Sequence, residues 1–189
     1  MPFSGPARSV KLAIASVFAA LIALGTILSI PLPPPVFELT WAPAIYLALS
    51  ALSDRWTAVT ATAVGSFIGE FYNVSFKPGG SPIYPFGMLW ARAPEPLIVA
   101  WGVSRGGNWV YYSMILATVY ETFAFLISDW LFYTYGLFGY GAPESLYAGL
   151  LAAVSDLATM ADLAFIPVAI GIIYAAGPAF RRLGFGMKP

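Results

Sequence analysis

Residues 12–25 read LAIASVFAALIALG, a run with no charged side chain that places Ala15, Ala19 and Ala23 four residues apart. At roughly 100° per residue these alanines, with Ser16, form one smooth face of a helix, where leucine or isoleucine would have buried more apolar surface. A smooth face implies a close neighbour. The apolar window extends over residues 12–30, is preceded by Arg8 and Lys11, and stops at PLPPP, whose prolines cannot continue a helix. A secretory signal peptide is the competing reading, but the run is long and lacks a convincing small-residue cleavage site.

The rest of the chain agrees with an apolar solvent. Of its 189 residues 59% are hydrophobic and 10% charged, with a mean hydropathy of +0.78. Soluble chains run near 25% charged, so most of this surface cannot meet water. The expected fold class is an all-α integral membrane protein, a single membrane domain over residues 1–189. Further windows at residues 42–53, 56–72, 83–103, 109–133 and 146–176 bring the total to six transmembrane helices. The fourth should be interrupted around Pro94 and Pro96 and the sixth kinked at Pro167. With both termini cytoplasmic, Arg8, Lys11, Arg55, Arg105, Arg181, Arg182 and Lys188 all fall inside, and Lys77 is the lone basic residue of an outer loop. The outer loops are then PLPPPVFELTW, NVSFKPGGSP with a tight turn at Gly79 and Gly80, and YGLFGYGAPES.

Polar residues inside the spans carry the functional information. In the fifth window Glu121, Phe125, Ser128, Asp129 and Phe132 share one sector of the helix; in the sixth, Ser155, Thr159 and Asp162 follow an i, i+4, i+7 rhythm with Asp156 at the flank. An ionised carboxylate facing hydrocarbon costs several kcal/mol, so both faces should point into the bundle. Arg92 has Glu95 three residues on and pairs with it or with an acid of another helix. Because acids outnumber bases, a cavity holding Glu70, Glu121, Asp129 and Asp156 favours a cationic or hydrogen-bond-donating ligand. Trp130, Tyr133 and Tyr84 lie near the outer ends of their helices with Tyr72, as a stacking cage beside Asp129 or as an interfacial aromatic belt. The bland alternative for each acid is a helix-helix hydrogen bond.

Enzymatic chemistry finds little support. The chain has neither Cys nor His, which removes thiol nucleophiles and the usual zinc and haem ligands, and it lacks a G-x-S-x-G elbow. No cofactor, metal or nucleic acid is expected.

The chain resembles the substrate-binding S-components of energy-coupling factor (ECF) vitamin transporters. The similarity runs over the whole length: AIASVFAALIA in the first helix, ALSDRWTAVTATAVGSFIGEF around short second and third helices, and GGSPIYPFGMLWARAPEPLIVAWGVSRG through the fourth. The resemblance implies a high-affinity, membrane-embedded subunit in the plasma membrane of a prokaryote. It would bind a vitamin or related micronutrient from outside, under the first outer loop, and topple on docking to a transmembrane coupling subunit served by two ATPases. This chain has no G-x-x-x-x-G-K-[ST] phosphate loop, so ATP would be hydrolysed by those partners. In the family an A-x-x-x-A face meets the coupling subunit; here that face is Ala15, Ala19 and Ala23 with Ser16, and internal packing of the first helix is the alternative. The candidate substrate residues are Asp129, Trp130, Glu121, Tyr133, Glu70, Tyr84 and Asp156. The absence of His speaks against the nickel and cobalt branch, and a flat, cationic heteroaromatic compound fits the acids and rings. The rival functions are a membrane scaffold or assembly subunit, or a small independent transporter or channel.

Overall fold

A computed structural model describes residues 6–31, 38–77 and 81–185. The centres of the first two outer loops, with Gly79 and Gly80, and Lys188 lie outside the described residues. The elements are α1 (Arg8–Ile27), β1 (Ser29–Pro31), β2 (Glu38–Thr40), α2 (Ala42–Leu52), α3 (Arg55–Phe76), α4 (Tyr84–Ala91), α5 (Glu95–Arg105), α6 (Trp109–Tyr135), α7 (Leu146–Ala153), a 3-10 segment (Val154–Phe165) and α8 (Ile166–Arg182). Each of the six expected windows holds helix, though the first ends at Ile27 and gives way to strand at Ser29; α4 and α5 share the fourth, and α7, the 3-10 segment and α8 share the sixth. By length and composition three stretches are apolar enough to cross a membrane: Arg8–Ile27, Trp109–Tyr135 and Leu146–Arg182. The first outer loop differs from expectation, since its flanks pair as an antiparallel ladder with Ile30 opposite Leu39.

The smooth face of α1 packs inside the molecule, a correction to its reading as a partner surface. Ala15, Ala19 and Ala23 are buried, and α3 sets a G-x-x-x-G of its own against the last two, Gly65 on Ala19 and Gly69 on Ala23. A Cβ on Gly65 would sit 2.5 Å from the Ala19 carbonyl oxygen, and one on Gly69 would sit 2.9 Å from that of Ala23. Small residues on both helices let the backbones touch, and in lipid such packing drives association because burial alone drives little. Ser16 points the other way and is exposed.

The centre of the bundle is α2. Tyr46 to Leu52 are all buried, and this short helix is surrounded by α1, α3, α5 and α8. Being covered on every side explains why it is apolar all round and needs only 11 residues. Its start is set by Gly25, whose carbonyl accepts the Trp41 N–H at 2.9 Å, and where a Cβ would lie 3.0 Å from the Ala42 nitrogen.

At the opposite end of α2 the chain reverses through Ser53 and Asp54. Asp54 caps α3, accepting from the Thr57 N–H at 3.3 Å and the Thr57 hydroxyl at 2.6 Å, and pairs with Lys11 of α1 at 3.3 Å. Partial burial opposes ionisation, but the Thr57 bonds and Lys11 outweigh it and hold the carboxyl below its ordinary 3.8. A depressed folded-state pKa stabilises the fold above pH 3.8 and loses that contribution as pH falls through the lower folded value. Asp54→Ala should lower stability by about 1 kcal/mol at neutral pH, as for other lost N-caps. Thermal unfolding in detergent at pH 7 and near pH 3 should show the difference between variant and parent shrinking in acid.

Two interruptions position the polar residues. Between α4 and α5, Pro94 and Pro96 cannot donate to the preceding turn, and the chain passes through Arg92, Ala93 and Pro94 in a tight turn with Glu95 N–H bonded to the Arg92 carbonyl at 3.1 Å. The sixth window holds more than a kink at Pro167. Pro167 opens α8, and the 12 residues before it are wound as a 3-10 helix. Three residues per turn instead of 3.6 changes which side chains share a face.

Candidate functional site

The stripe expected on α6 forms one wall of a tightly packed aromatic box. Phe125, Ser128, Asp129 and Phe132 face Tyr84, Gly87 and Trp90 of α4, and Tyr140 closes the top. Tyr84 donates its hydroxyl to Asp129 Oδ2 at 2.9 Å and Tyr140 donates to Oδ1 at 2.7 Å. The Trp90 indole N–H donates to Ser128 Oγ at 2.9 Å. The rings of Tyr84 and Tyr140 lie nearly parallel, 22° apart with centroids at 6.4 Å, and Phe132 meets Tyr140 edge-on at 5.4 Å. The free volume among them is about 10 Å³, room for roughly one water.

Tyr140 reaches Asp129 because the chain doubles back after α6. Gly136 ends the helix in the left-handed conformation, and Gly139 and Gly141 hold φ of +89° and +97°, which side chains seldom adopt. The Ser81 hydroxyl donates to the Phe138 carbonyl at 2.7 Å, tying this loop to the entry of α4. Burial first, then the neighbouring Tyr84 and Asp129, push the Tyr140 pKa up, so its hydroxyl stays a donor at physiological pH. Sequence reasoning missed Tyr140 and Trp90; the signal for the former was a lone aromatic between two glycines in the third outer loop.

A second polar cluster lies deeper. Arg92 pairs with Glu121 of α6 through Nε, not with Glu95, and Tyr46 of α2 donates its hydroxyl to the other Glu121 oxygen at 3.1 Å. The turn between α4 and α5 removes the helical spacing on which the Arg92–Glu95 pairing depended. Glu95 is fully buried, and since the single Tyr46 proton goes to Glu121, both Glu95 oxygens lack a donor among the described residues. Asp162 is buried within electrostatic reach of Arg92 and Glu121.

The 3-10 segment joins the two clusters. Under α-helical spacing Ser155, Thr159 and Asp162 should align, but at three residues per turn Asp156, Thr159 and Asp162 do, and Ser155 is left exposed. Asp156 therefore lies within electrostatic reach of Asp129 and Tyr84 while Asp162 serves the deeper cluster. The Asp156 Oδ2 is buried and has no donor among the described residues.

Of the residues expected at the site, Asp129 and Tyr84 are in direct contact. Tyr133 borders them, its ring 4.7 Å from that of Tyr140. Glu121 belongs to the deeper cluster. Glu70 accepts from the Asn73 amide at 3.3 Å, at the seam where the same amide donates to the Thr26 carbonyl. Trp130 is a correction: its indole N–H donates to the Leu146 carbonyl at 2.8 Å, anchoring the start of α7 outside the box. Trp130→Phe should therefore lower thermal stability by the worth of one hydrogen bond, about 1 kcal/mol, while leaving ligand affinity unchanged. Titration of the purified variant alongside its unfolding curve checks both halves. Tyr72 is exposed and packs on Phe76, as a belt residue would.

No protein-family model matches the chain, and no curated protein matches its sequence. Among solved structures, the S component of a bacterial ECF transporter superposes with a TM-score of 0.63 at 18% identity, covering 94% of this chain and 99% of that one. The fold is therefore S-component-like.

Proposed function

We propose that this chain is the membrane-embedded substrate-binding subunit, or S-component, of an ECF-type transporter that imports a vitamin or related small micronutrient into a prokaryotic cell. In this reading all six helical windows lie in the plasma membrane with both termini cytoplasmic. The chain captures its substrate from outside and hands it on through a transmembrane coupling subunit and two ATPase subunits, and it performs no catalysis itself. Contact with the coupling subunit would fall on the outward side of α1, where Ser16 is exposed, since Ala15 is buried and Ala19 and Ala23 lie against Gly65 and Gly69 of α3.

The observation that carries the reading is the box around Asp129. Aromatic faces line a carboxylate held by two tyrosine hydroxyls, and the nearby Asp156 Oδ2 lacks a donor among the described residues. Such a lining suits a flat ring bearing N–H donors or a positive charge. The box leaves room for about one water, so admitting a ring requires Tyr140 and its loop to swing off Asp129, which makes the third outer loop the lid in this reading. Glu121, Glu95 and Asp162 are then the floor, with Glu70 and Tyr133 at the margins.

Native mass spectrometry of the purified protein should detect a small aromatic compound, and vitamins with cationic or amino-substituted heteroaromatic rings should raise its melting temperature. Asp129→Asn should weaken the stabilising compound at least tenfold, the loss of one charge-assisted hydrogen bond at about 1.5–3 kcal/mol. A protein that carries no compound and is stabilised by none would favour the scaffold reading instead.

A further inference from the structure

At the end of the molecule away from the aromatic box, α2, α5, α6 and α8 diverge and leave an open cavity of about 510 Å³. Its walls are Ala51, Val103, Val110, Ile170 and Ile173, and its rim carries Arg181. The size is that of a ligand site, yet the lining offers one charged group and almost no hydrogen-bonding side chains. Tyr111 and Tyr174, at the rim, stand with their hydroxyls 3.5 Å apart. Gly106 and Gly107, both at positive φ, bring bare backbone to the edge, and a Cβ at Gly107 would meet nothing within 4 Å.

The charges around this cavity are one-sided. Arg8, Lys11, Arg55, Arg105, Arg181 and Arg182 lie at this end of the helices, and among the described residues only Asp54, already engaged by Lys11, opposes them. The Arg181 side chain is exposed and has neither ion pair nor hydrogen bond among the described residues. Arg105 lies over the faces of Trp101 and Trp109, 5.0 and 5.8 Å from the ring centroids, the arrangement expected where a helix end meets lipid headgroups. An apolar slot with an unpaired guanidinium at its mouth is complementary to one kind of molecule: an acyl chain attached to a negative headgroup.

We propose that this cavity is a binding site for an anionic phospholipid of the cytoplasmic leaflet, one acyl chain lying between α5, α6 and α8 and the phosphate held by Arg181. The proposal rests on the membrane orientation given above and is independent of what the outer box binds. A lipid seated here fills the gap between α8 and the α5–α6 hairpin, so it stabilises the cytoplasmic end of the bundle.

The test is native mass spectrometry of protein purified in mild detergent and offered equal amounts of phosphatidylglycerol and phosphatidylcholine. The parent should retain phosphatidylglycerol over phosphatidylcholine by about fivefold, the worth of one interfacial cation. Arg181→Gln should abolish that preference, and since the residue is exposed no repacking accompanies the change. Val110→Trp, which fills the slot, should reduce retention of both lipids; if it fails to fold, the arginine variant still decides. Asp129→Asn should keep the full lipid preference, which separates this site from the outer one. Equal retention of the two lipids by the parent, or an undiminished preference in Arg181→Gln, overturns the proposal. So does a slot that holds no lipid but whose filling by tryptophan lowers recovery of a membrane protein partner, which would mark it as a protein seat.

Discussion

Replacing Gly65 by leucine should prevent α1 and α3 from closing and cost about 3 kcal/mol or more, at the upper end of what overpacking costs elsewhere. The reason is that the obstacle is backbone. Even the first carbon of a side chain would lie 2.5 Å from the Ala19 carbonyl oxygen and 2.8 Å from the Ile22 Cβ, and neither can step aside without shifting a helix. Gly65→Ala should already be destabilised, and Gly69→Ala likewise, with its Cβ 2.6 Å from that of Thr26. Gly171 in α8 supplies the control, because a Cβ there meets nothing within 4 Å and alanine should be neutral or stabilising by about 0.5–1 kcal/mol. Thermal unfolding of the four variants in one detergent gives the comparison. A Gly65→Ala protein as stable as its parent would mean that the helices do not approach this closely. By the same geometry Ala19→Leu should lose folding before it loses any partner.

That seam also shows which parts of the molecule were legible in the sequence. The spacing of Ala15, Ala19 and Ala23 announces a helix in close contact, but spacing names no partner, and the G-x-x-x-G that answers it, Gly65 and Gly69, lies in a separate window that nothing in the sequence links to the first. Composition and apolar windows located all six helical segments because burial and hydropathy act on whole stretches. They failed where the chain leaves regular geometry. Trp130 looked like the companion of Asp129 because it follows it, yet consecutive residues on a helix point about 100° apart, and the tryptophan anchors α7 instead. Asp156 and Asp162 fell on one face only once the segment was seen to wind as a 3-10 helix, which no hydropathy period reveals. Tyr140 joined the box through a loop whose path depends on three glycines at positive φ, and that path leaves no periodic trace. Tyr84 and Asp129 were found because each sits on a regular helix facing inward.

Breaking the buried pair of Arg92 and Glu121 should cost at least as much as filling the seam. Both side chains are nearly inaccessible, 9% and fully buried, so removing either leaves a charge with no water to solvate it. Arg92→Ala or Glu121→Ala should each lower stability by about 3–5 kcal/mol, and Glu121→Gln, which keeps the shape but not the charge, should fall short of the parent as well. The double variant Arg92→Met with Glu121→Leu removes both charges and refills their volume. If the guanidinium serves Glu121 alone, the double variant should recover nearly all the lost stability, because well-packed apolar replacements of buried pairs are often neutral. The surroundings argue for a smaller recovery. Glu95 and Asp162 share the same buried space, and among the described residues Arg92 is the cation within reach of both. Taking it away leaves two buried acids without a counter-charge and the Tyr46 hydroxyl without its acceptor on Glu121. The double variant should therefore remain below the parent, and adding Glu95→Gln should bring it part of the way back. Full recovery in the double variant would show that Arg92 and Glu121 form a closed pair, and that Glu95 and Asp162 are held by other means.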